Sequence, residues 1–133
     1  MELTLGLLCE EARDRPDGKF DVIGVFNELS APGFPAVQDR MTALFVLEWA
    51  ADEAGTQEFR AELTAASGQR IVTIDGTTEV PPRDPGRPAA QTRLALPLEQ
   101  IVFPNAGRYH FDVVAGGDVH RACSLFVSER PEG

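Results

Sequence analysis

The sequence GKFDVIGVFNELSAPGFPAVQDRMTALFVLEW, residues 18–49, decides the fold because it contains two apolar segments with the two-residue period of a strand. In both segments, apolar side chains occupy the second face as well as the first. Ile23 and Val25 lie on the second face of one segment, and Leu44 and Val46 on that of the other. A half-solvated antiparallel sheet would have polar residues there. The segment therefore predicts two core strands that are covered on both sides.

The connection between these two strands, residues 27–40, is one candidate for the cover. Phe34 and Val37 are apolar, and nearby prolines hold the backbone extended and prevent a helix. A second protein chain is the alternative, because a soluble monomer rarely leaves a contiguous apolar patch bare. The candidate interaction surface consists of the second-face residues and the apolar residues of the connection. Its members are Ile23, Val25, Phe34, Val37, Leu44 and Val46.

Three motifs of the sequence are similar to those of an uncharacterised bacterial family, a domain of unknown function. They are GKFDVIGVF and APGFPAV in the segment above, and GRYHFDV at residues 107–113. The resemblance spans most of the chain. It implies a cytoplasmic β-sandwich without an assigned activity, and it supplies no functional residues.

Alternating apolar and polar residues predict further strands in the rest of the chain. Leu3, Leu5, Leu7 and Cys9 share a face of the first strand, and residues 59–80 form a hairpin. Seven to nine strands are expected, and no segment has a convincing helical period. This pattern is typical of an antiparallel β-sandwich, immunoglobulin-like or C2-like, in a single domain spanning residues 1–133.

Two proline-containing segments locate the edges of this fold. The sequence PPRDPGRP, residues 81–88, is incompatible with a sheet interior and is predicted to be a surface loop. Pro97 interrupts the alternation of Leu94, Leu96 and Leu98. A proline in that position indicates an edge strand or a bulge.

The last hairpin has two competing registers. A two-residue turn at Gly116-Gly117 pairs Asp112 with Arg121, whereas a three-residue turn sets Tyr109 against Leu125. An exposed ion pair contributes ~0–1 kcal/mol and a buried leucine ~1.5–3 kcal/mol, so the three-residue turn is predicted. The segment around Tyr109 also resembles the late strands of immunoglobulin-like sandwiches, in which the tyrosine hydrogen-bonds the backbone of a corner.

Composition argues against several partners. The 21 acidic and 12 basic residues give a net charge of −9, which repels phosphate backbones and anionic lipid surfaces. No apolar segment approaches the ~20 residues of a membrane helix, and the N-terminal residues lack a signal peptide pattern. We therefore expect a cytoplasmic protein that binds neither nucleic acid nor membrane.

The residue types that carry catalysis or bind metals are scarce. Cys9 and Cys123 lack the spacing of a zinc site and are expected to be reduced and buried. His110 and His120 are the only histidines, and the predicted register places both on the outer face of the last hairpin without an evident partner. We expect no cofactor, no metal site and no enzymatic activity.

Two kinds of function remain after these exclusions. A non-catalytic protein-interaction or assembly module would use the apolar second face or an open sheet edge, with a protein partner or by self-association. A small-ligand-binding β-sandwich would need a concave apolar pocket, for example under the Phe34 loop.

Trp49 is expected to belong to the core, because it continues the face of Phe45 and Leu47.

Overall fold

The structure, a computed structural model, describes residues 1–131, and these residues form an all-β fold. They contain ten strands where seven to nine were predicted, because short strands flank the connections. A 3-10 helix, Ala51–Glu53, follows the fifth strand. In chain order the strands are β1 (Glu2–Cys9), β2 (Glu11–Asp14), β3 (Phe20–Ile23), β4 (Glu28–Ala31), β5 (Ala36–Glu48), β6 (Gly55–Ala65), β7 (Arg70–Val80), β8 (Gln91–Phe103), β9 (Gly107–Ala115) and β10 (Asp118–Glu129).

Two sheets pack face to face, as predicted for a sandwich. One has three strands in the order β1-β5-β8, and the other has five in the order β4-β10-β9-β6-β7. The strands β2 and β3 form a separate hairpin. Neighbouring strands of the described chain are antiparallel except β4 and β10, which are parallel, so the five-stranded sheet is mixed.

The core fills the space between the two sheets. The rings of Phe45 in β5 and Phe111 in β9 meet edge to face, with their centroids 5.4 Å apart. Alternate residues of β5, β6 and β9, together with Trp49 directly after β5, supply most of the remaining core, as their two-residue period predicted. These residues are Met41, Ala43, Leu47, Trp49, Phe59, Ala61, Leu63, Tyr109, Val113 and Ala115.

Two aromatic predictions are confirmed. Trp49 is 1% exposed, and its indole N–H donates to Thr92 Oγ1 at 2.8 Å. The Tyr109 hydroxyl donates to the Asn105 carbonyl at 2.5 Å and accepts from the Asn105 N–H at 3.3 Å. This tyrosine therefore fixes the corner between β8 and β9 through backbone hydrogen bonds.

The two lateral sides of the sandwich differ. On one side β1 approaches β10 so closely that a Cβ on Gly6 would lie 2.6 Å from the Ala122 carbonyl oxygen. On the other side, β7 and β8 are joined at one end by the hydroxyls of Thr78 and Thr92, which lie 3.3 Å apart. The sandwich is closed along β1 and β10 and open along much of β7 and β8.

Two predicted strands change face or end early. A bulge between Leu3 and Leu5 turns Leu3 toward the core, while Leu5 faces the opposite side, so the predicted single face of β1 is wrong. The predicted strand over residues 20–26 ends at Ile23, because Gly24 has a φ of +67°. Its continuation forms only one bridge, between Phe26 and Leu8.

The last hairpin combines both registers that the sequence allowed. The turn at Gly116-Gly117 has two residues and pairs Asp112 with Arg121, so the predicted three-residue turn is wrong. A bulge between Arg121 and Cys123 then restores the predicted core pairing of Tyr109 with Leu125. Bulges of this kind let one strand satisfy a tight turn and a core register at once.

Candidate interaction surface

The structure does not bring the six predicted surface residues together. Leu44 and Val46 lie in the central strand of the three-stranded sheet and are 0% and 8% exposed. Ile23 and Val25 are 42% and 60% exposed, but β3 pairs with β2 rather than with β5. The predicted contiguous patch therefore does not form.

The second face of β5 is covered by this chain itself, through the β2–β3 hairpin. Register places Leu5 opposite Val46 and Leu7 opposite Leu44, so these residues form an apolar strip on the side away from the core. Above the strip, the Arg93 guanidinium lies 3.9 Å from the ring centroid of Phe20. The prediction of a covered second face is correct for β5, although the cover comes from residues before the 27–40 connection. It is wrong for residues 20–26, because Ile23 and Val25 are exposed.

Arg93 also joins the hairpin to the sheet through an ion pair. Its Nη1 atom lies 2.9 Å from Asp14 Oδ1, and β8 carries it directly opposite Val46. The sequence contains no signal for this role, because an arginine between Thr92 and Leu94 has the ordinary appearance of a solvated position on an edge strand. The hairpin and Arg93 are the main features of the site that the sequence analysis missed.

Phe34 and Val37 lie at the opposite end of β5 from Val46. Phe34 packs against the core between the sheets, so it does not cover the second face of β5. Val37 is 55% exposed and lies opposite Val102 of β8, which is 49% exposed. Of the six predicted residues, Val37 alone belongs to an exposed apolar pair that spans two neighbouring strands.

Val102 also borders a groove of about 690 Å³ along the open side of the sandwich. We call this the β7–β8 groove; residues 69–74 line one wall, and residues 97–102 with Pro104 line the other. Ile71, Val72 and Ile74 project into it half-buried. The open side therefore combines apolar side chains with two neighbouring sheet edges.

The two edges of the β7–β8 groove are not equivalent. Each belongs to a terminal strand of its sheet, which confirms the edge position predicted from Pro97. β8 has no N–H at Pro97, and Gln100 has a φ of +54°, so its edge is interrupted twice. β7 contains no proline over Arg70–Val80. Its edge is the better acceptor for an added strand.

A second cleft, of about 370 Å³, lies under the loop between β4 and β5. Leu29, Pro35, Val37 and Phe103 supply apolar surface to it. Arg130 is the one ionisable side chain among its described lining residues. This is the place where the sequence suggested a small-ligand pocket.

The outer face of the five-stranded sheet carries cross-strand polar pairs. His110 Nδ1 lies 3.0 Å from Ser124 Oγ, so the prediction that His110 has no partner is wrong. Asp112 accepts from Arg121 at 3.3 Å rather than from the imidazole. Partial burial, aided by Arg121, lowers the pKa of His110. The pair lies on the outer sheet face, and no carboxylate within residues 1–131 hydrogen-bonds the imidazole as a hydrolase triad requires.

His120 and the two thiols are placed as follows. His120 lies opposite Val113 on the inner side of β10, not on the predicted outer face, and its Nε2 atom makes no hydrogen bond with a described residue. Cys9 is fully buried and Cys123 is half-buried, and both are free. Burial raises the pKa of Cys9, and it raises that of Cys123 to about 11.

Comparison with known proteins identifies the family but not an activity. Residues 1–131 contain no helix that could span a lipid bilayer. No curated protein matches the sequence. The model of a family of unknown function, DUF6941, matches residues 4–128, which is nearly the whole chain. The prediction of an uncharacterised domain is thereby confirmed, and the chain belongs to the DUF6941 family of unknown function.

Proposed function

We propose that this protein is a non-catalytic interaction module that binds an extended segment of a partner polypeptide in the β7–β8 groove. The observation that carries the proposal is the edge of β7, which pairs only with β6 within residues 1–131 and contains no proline and a single bulge, at Ile71, beside half-buried apolar side chains. An added strand would obtain its affinity from backbone hydrogen bonds to that edge. Alternate side chains of the segment would pack on Ile71, Ile74 and Val102 and supply specificity.

The dimensions of the groove set the length of the segment. One wall runs along residues 69–74, which at ~3.3 Å per residue corresponds to roughly 20 Å of extended chain. A segment of about five or six residues fills that length. Exposed Val102 and neighbouring Val37 extend the apolar surface beyond the groove, so a partner longer than the segment gains further contact.

The remaining parts of the proposal concern chemistry and location. Ser124 borders a cleft of about 430 Å³, but within residues 1–131 no carboxylate hydrogen-bonds its partner His110, so the pair lacks the third member of a hydrolase triad, which supports a non-catalytic role. The net charge of −9 disfavours nucleic acid and anionic membranes as partners. Free Cys9 and Cys123 are consistent with a cytoplasmic location, where thiols stay reduced.

Selection from a displayed library of random linear peptides tests the proposal. Peptides that bind the folded protein should alternate β-branched or aromatic residues with polar ones, and they should slow amide exchange in β7. Val102→Glu should weaken binding at least about tenfold, because it places a carboxylate against an apolar side chain of the peptide. Val119→Glu is the matched control, since Val119 is 69% exposed on the other sheet and away from the groove.

Two results would overturn this function. One is that no peptide is selected by the folded protein. The other is that selected peptides bind both variants as tightly as the wild type, or protect a different strand from exchange. Either result removes the groove as the binding site, whatever the oligomeric state of the protein.

A second candidate function is binding of a small organic acid in the cleft under the loop between β4 and β5. Its volume of about 370 Å³ falls in the range of small-ligand sites, and Arg130 would pair with a carboxylate. Thermal denaturation with a metabolite library tests this candidate. An acid that raises the Tm of the wild type and leaves that of Arg130→Ala unchanged supports it, and the absence of any such acid excludes it.

A further inference from the structure

The β2–β3 hairpin is tied to the rest of the protein mainly at its base. β2 and β3 pair only with each other among the described residues. At the base, the Glu10 N–H donates to the carbonyls of Ile23 and Gly24, at 3.0 and 3.1 Å, and Phe26 N–H donates to Leu8. In the part of the chain that the structure describes, no backbone hydrogen bond joins the body of the hairpin to the sheet below it. Its position therefore depends on side chains.

The side chains that hold the hairpin down are few. Ala12, Phe20 and Val22 are half-buried on its inner face. At the far end from the base, Arg93 contributes both the 3.9 Å stacking on Phe20 and the 2.9 Å ion pair with Asp14. One arginine of the sheet thus makes both of the charged contacts that join the hairpin to the sheet within residues 1–131.

The base has the geometry of a hinge. Gly24 has a φ of +67°, in the left-handed region that favours glycine, and its Cα packs directly on the Glu10 side chain. A Cβ at this position would lie 2.5 Å from Glu10 Cδ. Glu10 and Gly24 are thus the two places where the hairpin joins the sandwich, and rotation there moves the hairpin without breaking either large sheet.

We infer that the β2–β3 hairpin is a lid that opens at Glu10 and Gly24, that Arg93 holds it closed, and that opening exposes an apolar strip on the three-stranded sheet. The strip lies on the side away from the core, so its exposure does not require the two sheets to separate. It consists of Leu5, Leu7, Cys9, Leu44 and Val46. The lid is distinct from the β7–β8 groove, and its opening does not depend on the proposed function.

The Cys9 thiol reports on the lid because it is 0% exposed. Cys123→Ala leaves Cys9 as the only thiol, and its reaction rate with a thiol reagent then measures the open fraction. Arg93→Ala removes the ion pair and the stacking, which should raise this rate by roughly 5–30-fold. Arg93→Lys keeps the charge but loses the planar stacking on Phe20, so its Cys9 reaction rate should lie between that of the Cys123→Ala parent and that of Arg93→Ala.

Arg60→Ala is the matched control, since Arg60 forms a comparable exposed ion pair with Asp75 on the other sheet, at 2.6 Å. Its Cys9 rate should equal that of the parent. Opening of a lid should also depend only weakly on urea, because it exposes less surface than global unfolding. Equal rates in Arg93→Ala and Arg60→Ala, or a urea dependence equal to that of global unfolding, would overturn the inference.

Hydrogen exchange gives a second measurement on the protein with both cysteines intact, in case Cys123→Ala does not fold. Amides of residues 11–23 should exchange faster in Arg93→Ala than in Arg60→Ala, while those of β9 stay unchanged. Uniform acceleration across β9 and the hairpin would mean that Arg93 stabilises the whole fold, and the lid would then be rejected.

Discussion

Gly6→Ala should destabilise the protein because it places a methyl group against a neighbouring backbone. The new Cβ would lie 2.6 Å from the Ala122 carbonyl oxygen and 2.8 Å from the Ala122 Cβ. Neither atom can rotate away, since both belong to β10 at its bulge. Overpacking of this kind costs ~1–3 kcal/mol, and the lower entropy of the unfolded alanine chain offsets ~0.4–1 kcal/mol. We expect a net loss of about 1–2 kcal/mol.

Urea denaturation with Gly33→Ala as the control measures this effect. Gly33 has no atom within 4 Å of its ideal Cβ and its φ lies outside the left-handed region, so alanine there meets no clash. Gly33→Ala should be neutral or slightly stabilising, whereas Gly6→Ala should lower the Tm by roughly 3–10 °C. If Gly6→Ala were as stable as Gly33→Ala, β1 and β10 would not be in the close contact described above.

Three further predictions concern buried aromatic residues and pH. Trp49→Ala should cost ~3–5 kcal/mol in urea denaturation, through lost packing and the lost hydrogen bond to Thr92, and an unchanged midpoint would remove Trp49 from the core. Tyr109→Phe should cost ~1–2 kcal/mol with an unchanged m-value, because the Asn105 backbone loses both hydrogen bonds of the corner; no loss of stability would show that these bonds contribute little. Because the pKa of His110 is lowered in the folded protein, the unfolded chain binds a proton at a higher pH than the folded protein does. Protonation of this histidine therefore lowers the free energy of unfolding as the pH falls below the usual histidine pKa, and it has no such effect at higher pH. Wild type should therefore lose more stability than His110→Gln between about pH 7.5 and about pH 5.5, and equal losses would contradict the shift.

The fold class could be predicted because apolar and polar residues alternate along a strand that is buried on one face only. Phe59, Ala61 and Leu63 alternate with polar residues, and the structure buries all three. The same period fails where the backbone departs from extended geometry. Gly24 reads as an ordinary small residue in an apolar strand, yet its positive φ ends β3. Hydrophobic pattern alone contains no information on the sign of φ.

The apolar second face of β5 was predicted correctly as covered, while its cover was not identified. Leu44 and Val46 show from their own pattern that they need a neighbour, but the identity of that neighbour depends on tertiary contacts. Phe20 and Arg93 lie far apart in the sequence, and neither has a local pattern that points to the other. The β7–β8 groove was missed for a related reason, because strand order decides which edges are left unpaired.

β5 and β8 change face together near Asp39 and Gln100. In a regular strand, residues that are an odd number of positions apart lie on opposite faces. Ile101 and Phe103 nevertheless face the core, as Leu98 does, although an odd number of positions separates each of them from Leu98. Partner residues stay in one register throughout, and the Gln100 side-chain amide donates to Asp39 Oδ1 at 3.1 Å.

The ladder is therefore equivalent to a regular one with a single residue inserted in each strand at the same level. Deleting Asp39 and Gln100 together should restore strict alternation and leave every other residue on its present face. Deleting only one of them should exchange the two faces of one strand relative to the other strand. Val37 of β5 or Val102 of β8 would then face the core in place of a residue that is buried there now. A matched pair of insertions therefore lengthens the β5–β8 ladder without changing the residues that face the core.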